Sequence, residues 1–190
     1  MNRVESASFD IANVCPEKAI FACGCFWCTE AVFQNLKGVR SLLSGYIGGN
    51  IVNPSYRDIC SGSSGHAEAI EICFLPTIIS FDQLLEIFWT THDPTTLNRQ
   101  GADKGSQYRS AIFFTTKQQE IIAQNSKDTF AKELWNDPIV TEITAATTFY
   151  AAEDYHQNYF NNNPNQSYCQ IVINPKIHKL RTKFADLIAQ

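Results

Sequence analysis

The sequence predicts an α/β (α+β) protein, a two-layer α/β sandwich, on three observations. Short apolar segments alternate along the chain with longer segments whose apolar residues recur at helical spacing. The 190 residues are 44% hydrophobic, 12% aromatic and 18% charged, which supports a sizeable core and excludes disorder and collagen-like structure. No internal repeat, low-complexity tract or linker divides the chain, the nearest candidate being the polar segment 161–167, so one domain over 1–190 is expected.

Taking the elements in order, residues 18–24 are short, mostly apolar and glycine-terminated, as a buried strand should be. A helix follows over 25–35 with Phe26, Ala31, Val32, Phe33 and Leu36 on one stripe, so the local unit is strand, tight turn, helix. Residues 39–48 and 67–74 read as strands. In the second, Ala69, Glu71 and Cys73 alternate with Ile70, Ile72 and Phe74, which predicts one buried face. Ser80 caps a helix through Trp89, whose Phe81, Leu84, Leu85 and Phe88 lie at core spacing, and Pro94 falls beyond its end. A strand over 108–115, an amphipathic helix over 117–134 and a β-rich segment over 139–148 come next. The chain closes with a short helix around 153–160, a strand over 169–173 and a helix from Pro175, a residue suited to a first helical turn.

Charge and terminus narrow the function. Fifteen basic against 19 acidic side chains leave a formal charge of −4, a field that does not favour nucleic acid; a small, neutral or polypeptide substrate fits better. The first residues hold no apolar run of signal-peptide length, and no window approaches the ~18 uncharged apolar residues of a membrane span. A cytoplasmic protein without a membrane partner is expected. The chain has 7 cysteines, three of them crowded at Cys23, Cys25 and Cys28, a spacing unlike a secreted disulfide framework, so reduced thiols with a redox task are the better reading.

Cys25 follows Gly24 at the predicted start of a helix, where free backbone N–H groups and the helix dipole favour a thiolate, the nucleophilic form. Phe26 and Trp27 beside it can wall a small apolar group or simply fill the core. Cys25 and Cys28 form a C-x-x-C motif with two chemistries open to it. Zinc binding would draw on Cys23, Cys25 and Cys28, but a closed site wants four ligands and no partner pair follows. Thiol–disulfide exchange is the other. Between residues 45 and 68, turn glycines crowd with polar groups, a loop composition that suits a site. Glu68, set between Ala67 and Ala69, would act as an acid if burial raised its pKa, and is otherwise a solvent-facing strand residue. Tyr56 and Tyr108 offer phenolic donors, and Asp103 precedes the turn Lys104-Gly105.

Gly24-Cys-Phe-Trp-Cys-Thr-Glu30, Gly65-His-Ala-Glu68, Asp103-Lys-Gly-Ser-Gln-Tyr-Arg-Ser110 and Ala152-Glu-Asp-Tyr-His-Gln157, taken together and in order, resemble the A-type peptide methionine sulfoxide reductases. The likeness spans about 18–184, leaving 1–17 as a leader. It implies a mixed sheet with a ferredoxin-like core and reduction of the S epimer of methionine sulfoxide, in proteins, in peptides or free. It further implies that Cys25 attacks the sulfoxide sulfur, Glu68 protonates the oxygen, Tyr56, Tyr108 and Asp103 bind that oxygen, and Phe26 and Trp27 hold the S-methyl group. The resulting Cys25 sulfenic acid condenses with a second cysteine, and thioredoxin or another dithiol reduces the disulfide. Cys28, near in sequence, is favoured for that second role over Cys169, which follows the Asn-rich segment; the two could also act in series. Cys23 and Cys73 read as strand packing, Cys60 as loop packing, and Cys15 as part of the leader. His156 and Asp154 fit helix packing as readily as catalysis. No metal, flavin or nicotinamide is implied. A general thiol–disulfide oxidoreductase using Cys25 and Cys28 remains the alternative, separated by Glu68 and the tyrosines, for which disulfide exchange has no use.

Overall fold

The computed structural model describes residues 15–189; most of the expected leader, 1–14, lies outside them. The first unit runs β1 (Glu17–Cys23), α1 (Phe26–Phe33), β2 (Val39–Ile47), and then α2 (Tyr56–Cys60), β3 (Ala67–Phe74) and α3 (Phe81–Thr91) follow. A two-stranded ribbon, β4 (Arg99–Gln100) with β5 (Asp103–Lys104), precedes β6 (Ser110–Phe114), α4 (Lys117–Ser126), β7 (Glu142–Ala145) and β8 (Tyr150–Ala151). Two further helices are α5 (Tyr159–Asn162) and α6 (Asn174–Lys183). The main sheet has the order β7-β6-β1-β3-β2-β8, antiparallel throughout except for the parallel β6–β7 pair. Its inner strands, order β6-β1-β3-β2 with α1 and α3 as the crossovers, make the ferredoxin-like core the resemblance implies.

The principal core lies between the sheet and one layer of helices. Phe21 of β1 is its centre, with the rings of Phe33, Phe81 and Phe88 at 5.6, 5.9 and 5.1 Å. Ser80 and Gln83 form a reciprocal capping box at the start of α3. β3 is buried on both faces rather than one. Ile70, Ile72 and Phe74 pack under the helices, while Ala67 and Ala69 meet Ile20, Ile47 and Phe113 on the other face, where Phe149 covers them. Alanine and the half-buried Glu71 give that second face its solvated look in the sequence.

Two further readings are corrected. Residues 169–173, strand-like in their β-branched Ile171, Val172 and Ile173, are helical and run directly into α6. Cys169, Ile173, Ile177 and Leu180 form a buried stripe at helical spacing, so tertiary packing overrides local propensity. Pro175 therefore sits inside a helical run. It has no N–H for a bond back along the helix, and the wide turn just ahead of it, closed by the Asn174 N–H on the Cys169 carbonyl, accommodates it. The second correction concerns Cys15 and Cys73, which are disulfide-bonded, Cα atoms 5.5 Å apart across a sequence separation of 58, so not every cysteine is a free thiol. Among the described residues no helix is long and apolar enough to cross a membrane.

Candidate active site

Gly24 turns β1 into α1 with a φ of +90°, and a side chain there would meet the Cβ of Gln100 at 2.5 Å. This turn puts Cys25 at the N-cap of α1, 7% exposed. From the neighbouring strand, Glu68 reaches the same point: its Oε2 accepts the Phe26 N–H at 3.1 Å, and the residue is 2% exposed. Cys25, Phe26, Trp27, Tyr56, Glu68, Asp103 and Tyr108, all singled out in the sequence, line one pocket of about 70 Å³, joined there by Tyr168.

Tyr168 divides this pocket from a larger cavity of about 310 Å³. Its hydroxyl donates to Asp103 Oδ2 at 2.7 Å and lies 3.7 Å from Cys28 Sγ. Cys25, Asp103 and Tyr168 border both spaces, whereas Cys28, Gln100, Ile171, Val172 and Lys176 line only the larger one. Of the two candidate resolving cysteines, Cys28 lies one helical turn from Cys25 and lines the larger cavity with it. Cys169 is fully buried behind them and lines neither space.

The aromatic wall is tightly fixed. The Trp27 indole stacks on Tyr159 at 3.6 Å with 5° between planes, and its Nε1–H donates to His156 Nδ1 at 3.1 Å. His156, 1% exposed, also packs against Phe26 and Tyr56, with centroids at 5.0 and 4.6 Å. As the acceptor for Trp27 it is neutral at Nδ1, and burial holds its pKa below the ordinary histidine value.

Burial, helped by the charges of Asp103 and Cys28 and opposed by the Phe26 N–H, pushes Glu68 up to about 8, so its carboxyl carries a proton at neutral pH. Burial likewise raises Tyr56 and Tyr108, which stay phenolic donors. The thiols depart from the sequence expectation. Burial first, then the neighbouring Cys28 thiol, holds Cys25 well above the ordinary thiol value. The neighbouring Cys25 thiol, aided by Lys176 and Tyr168, brings Cys28 down to about 7 despite burial. The helix start does not make Cys25 the resting thiolate, because Glu68 already occupies the first N–H and Cys25 is closed off from water. Cys23 is buried and pushed up to about 12, and Cys60 is exposed at the end of α2. Among the described residues no group of three or more His, Cys, Asp or Glu is arranged to hold a metal ion.

Sequence reasoning passed over Tyr168, Lys176 and Glu30. Tyr168 had one signal, its place beside Cys169; Lys176 had none. Glu30 closed the first motif, yet its function is visible only in the fold, where its carboxylate accepts the Asn158 and Tyr159 N–H groups at 2.7 and 3.0 Å.

The chain is similar to known proteins over most of its length. The family described as peptide methionine sulfoxide reductase matches residues 17–188. The peptide methionine sulfoxide reductase MsrA of Deinococcus radiodurans is 57% identical over 171 residues, 90% of this chain and 83% of that protein. Among solved structures, reduced Mxr1 from Saccharomyces cerevisiae superposes with a TM-score of 0.72 at 33% identity, covering 80% of this chain and 88% of that one. Mxr1 in complex with Trx2 gives a TM-score of 0.55 at 23% identity over 75% and 84% of the two chains, a likeness of fold alone.

Proposed function

The chain belongs to the peptide methionine sulfoxide reductase family, and from that premise we propose that this oxidoreductase returns the S epimer of methionine sulfoxide, free or within peptides and oxidised proteins, to methionine. The sulfoxide enters the pocket between Glu68 and the aromatic wall, its methyl against Phe26 and Trp27 and its oxygen toward Tyr56, Tyr108 and Asp103. Glu68, protonated below about pH 8, gives its proton to the oxygen, which is a poor leaving group until then. Cys25 attacks the sulfur while its own proton passes to Cys28, one helical turn away. The net exchange leaves the oxygen on Cys25 as a sulfenic acid and releases methionine. Cys28 then attacks the sulfenic sulfur, water departs, and a Cys25–Cys28 disulfide closes across the first helical turn. An external dithiol reduces that disulfide and becomes a disulfide itself. Mxr1, solved in complex with Trx2, supports thioredoxin as this partner. We take 1–190 as one catalytic domain and place it in the cytoplasm, where such dithiols keep thiols reduced.

The observation that carries this reading is the buried Glu68 carboxyl sharing one small pocket with the Cys25 thiol. Disulfide exchange has no oxygen to protonate. The test is turnover of peptides carrying each methionine sulfoxide epimer, with dithiothreitol as reductant, by the native protein and by Cys25→Ser. Reduction of the S epimer only, lost on substitution, is expected; activity on a disulfide substrate and on neither epimer would hand the pocket to disulfide exchange. Mapping the disulfide after one turnover checks Cys28, and a Cys25–Cys169 bond would reject it.

A further inference from the structure

The larger cavity contains a cation that the reaction above does not use. Lys176, half-buried on α6, lines this cavity together with Cys28. It also lines a small gap on the other side of the same thiol, bounded by Cys23, Thr29 and His92. Among the described residues no ion pair includes Lys176.

We infer that Lys176 is a positioning residue that stabilises Cys28 as a thiolate, the form needed for the second step, by facing it across the larger cavity, outside the sulfoxide pocket. This rests on the reading of Cys28 as the resolving cysteine. The groups around Cys28 leave Lys176 alone in this role. Cys25 borders the same cavity, Tyr168 faces Cys28 through a hydroxyl at 3.7 Å, and Asp103 stands behind that hydroxyl and opposes a thiolate. Cys23 and Cys169 are buried and their titrations lie above the ordinary thiol value. Glu68 is held protonated, and His92, fully buried at the edge of the gap, is held neutral. A buried thiolate beside Asp103 and without a cation would take its proton back. Charge on Cys28 has a chemical use, because a thiolate, not a thiol, attacks the sulfenic sulfur.

The test is the pH dependence of Cys28 alkylation in the reduced full-length protein, read residue by residue by mass spectrometry. Lys176→Met should raise the Cys28 midpoint by about one unit, so that on the acid side of the titration there is about tenfold less thiolate and disulfide closure after a single turnover slows in proportion. Lys176→Arg, which keeps the charge, should retain the native midpoint. An unmoved midpoint in Lys176→Met overturns the inference, and so does an equal shift in Lys176→Arg, which would trace the effect to packing. The underlying reading fails separately: a mapped Cys25–Cys169 disulfide removes Cys28 from the reaction, while the alkylation curve still reports whether Lys176 holds its charge.

Discussion

The two halves of the site are built on different physics. Cys25, Phe26 and Glu68 ride on α1 and β3, whose side chains are buried in the principal core, so their positions follow from apolar burial shared with the whole fold. His156 and Tyr159 ride on the segment 152–162, whose link to the main sheet is the two-residue strand β8 just before it. Directional bonds fasten this strap. Glu30, 4% exposed, receives the Asn158 and Tyr159 amides; Glu153 receives the Tyr46 hydroxyl at 2.8 Å and the Tyr56 amide at 2.9 Å. Gln157 pairs with the Ser44 backbone, accepting at 3.0 Å and donating at 2.9 Å. Apolar burial is lost cooperatively, whereas single polar fasteners can be lost one at a time and open a segment locally. The proposed reactive atoms therefore sit on the cooperative half with Phe26 and Trp27, and the side chains that back this aromatic pair, His156 and Tyr159, sit on the half that can loosen.

The largest effect should come from the reacting half. Glu68→Gln is expected to lower kcat by about 10²- to 10⁴-fold. Native activity should fall as pH rises through about 8, where Glu68 loses its proton, and the variant should lack that limb. The sign for stability is the same. The folded pKa lies above the unfolded ~4.3, so stability is full below that value and declines up to about 8. Urea unfolding across this window should show a flatter slope in Glu68→Gln. A retained alkaline limb would move the proton donor elsewhere.

Phe21→Ala should cost roughly 3–5 kcal/mol and be felt by every probe of unfolding together, since it empties the aromatic centre of the core. Glu30→Gln should cost about 1–3 kcal/mol but locally: hydrogen exchange at Asn158 and Tyr159 speeds up about 5- to 150-fold while sheet amides keep their protection. Equal acceleration everywhere would erase the distinction between the halves. The smallest effect is Tyr159→Leu, which removes the stack beneath Trp27, is worth about 0.5–1.5 kcal/mol, and should appear in KM more than in kcat.

The cooperative half was also the legible one. A short apolar run ending in glycine located β1, a period-two run located β3, and the glycine turn located Cys25, because these features are local in sequence. The order of the strands was not legible, since pairing joins segments far apart. Residues 169–173 misled because β-branched side chains score as strand while their burial follows a helical stripe. The strap was opaque for a related reason: Glu30 acts on residues 128 and 129 positions away, and Trp27 meets His156 across 129. The charge of the thiol pair was misplaced because helix-start reasoning does not know that a carboxyl from another strand has taken the first N–H.

The wide turn at 169–173 has an angular consequence. Eight residues separate Tyr168 from Lys176, and in a regular α-helix, at about 100° per residue, that spacing would set them about 80° apart in azimuth. A turn closed one residue later adds a residue without adding its rotation, which brings the two to within about 20° of one another. The turn thus corrects the phase of the helix, lining up the hydroxyl and the ammonium on the meridian that faces Cys28. A chain shorter by one residue at this point would keep the same meridian with an ordinary α-helix, so length here is free to vary where azimuth is not.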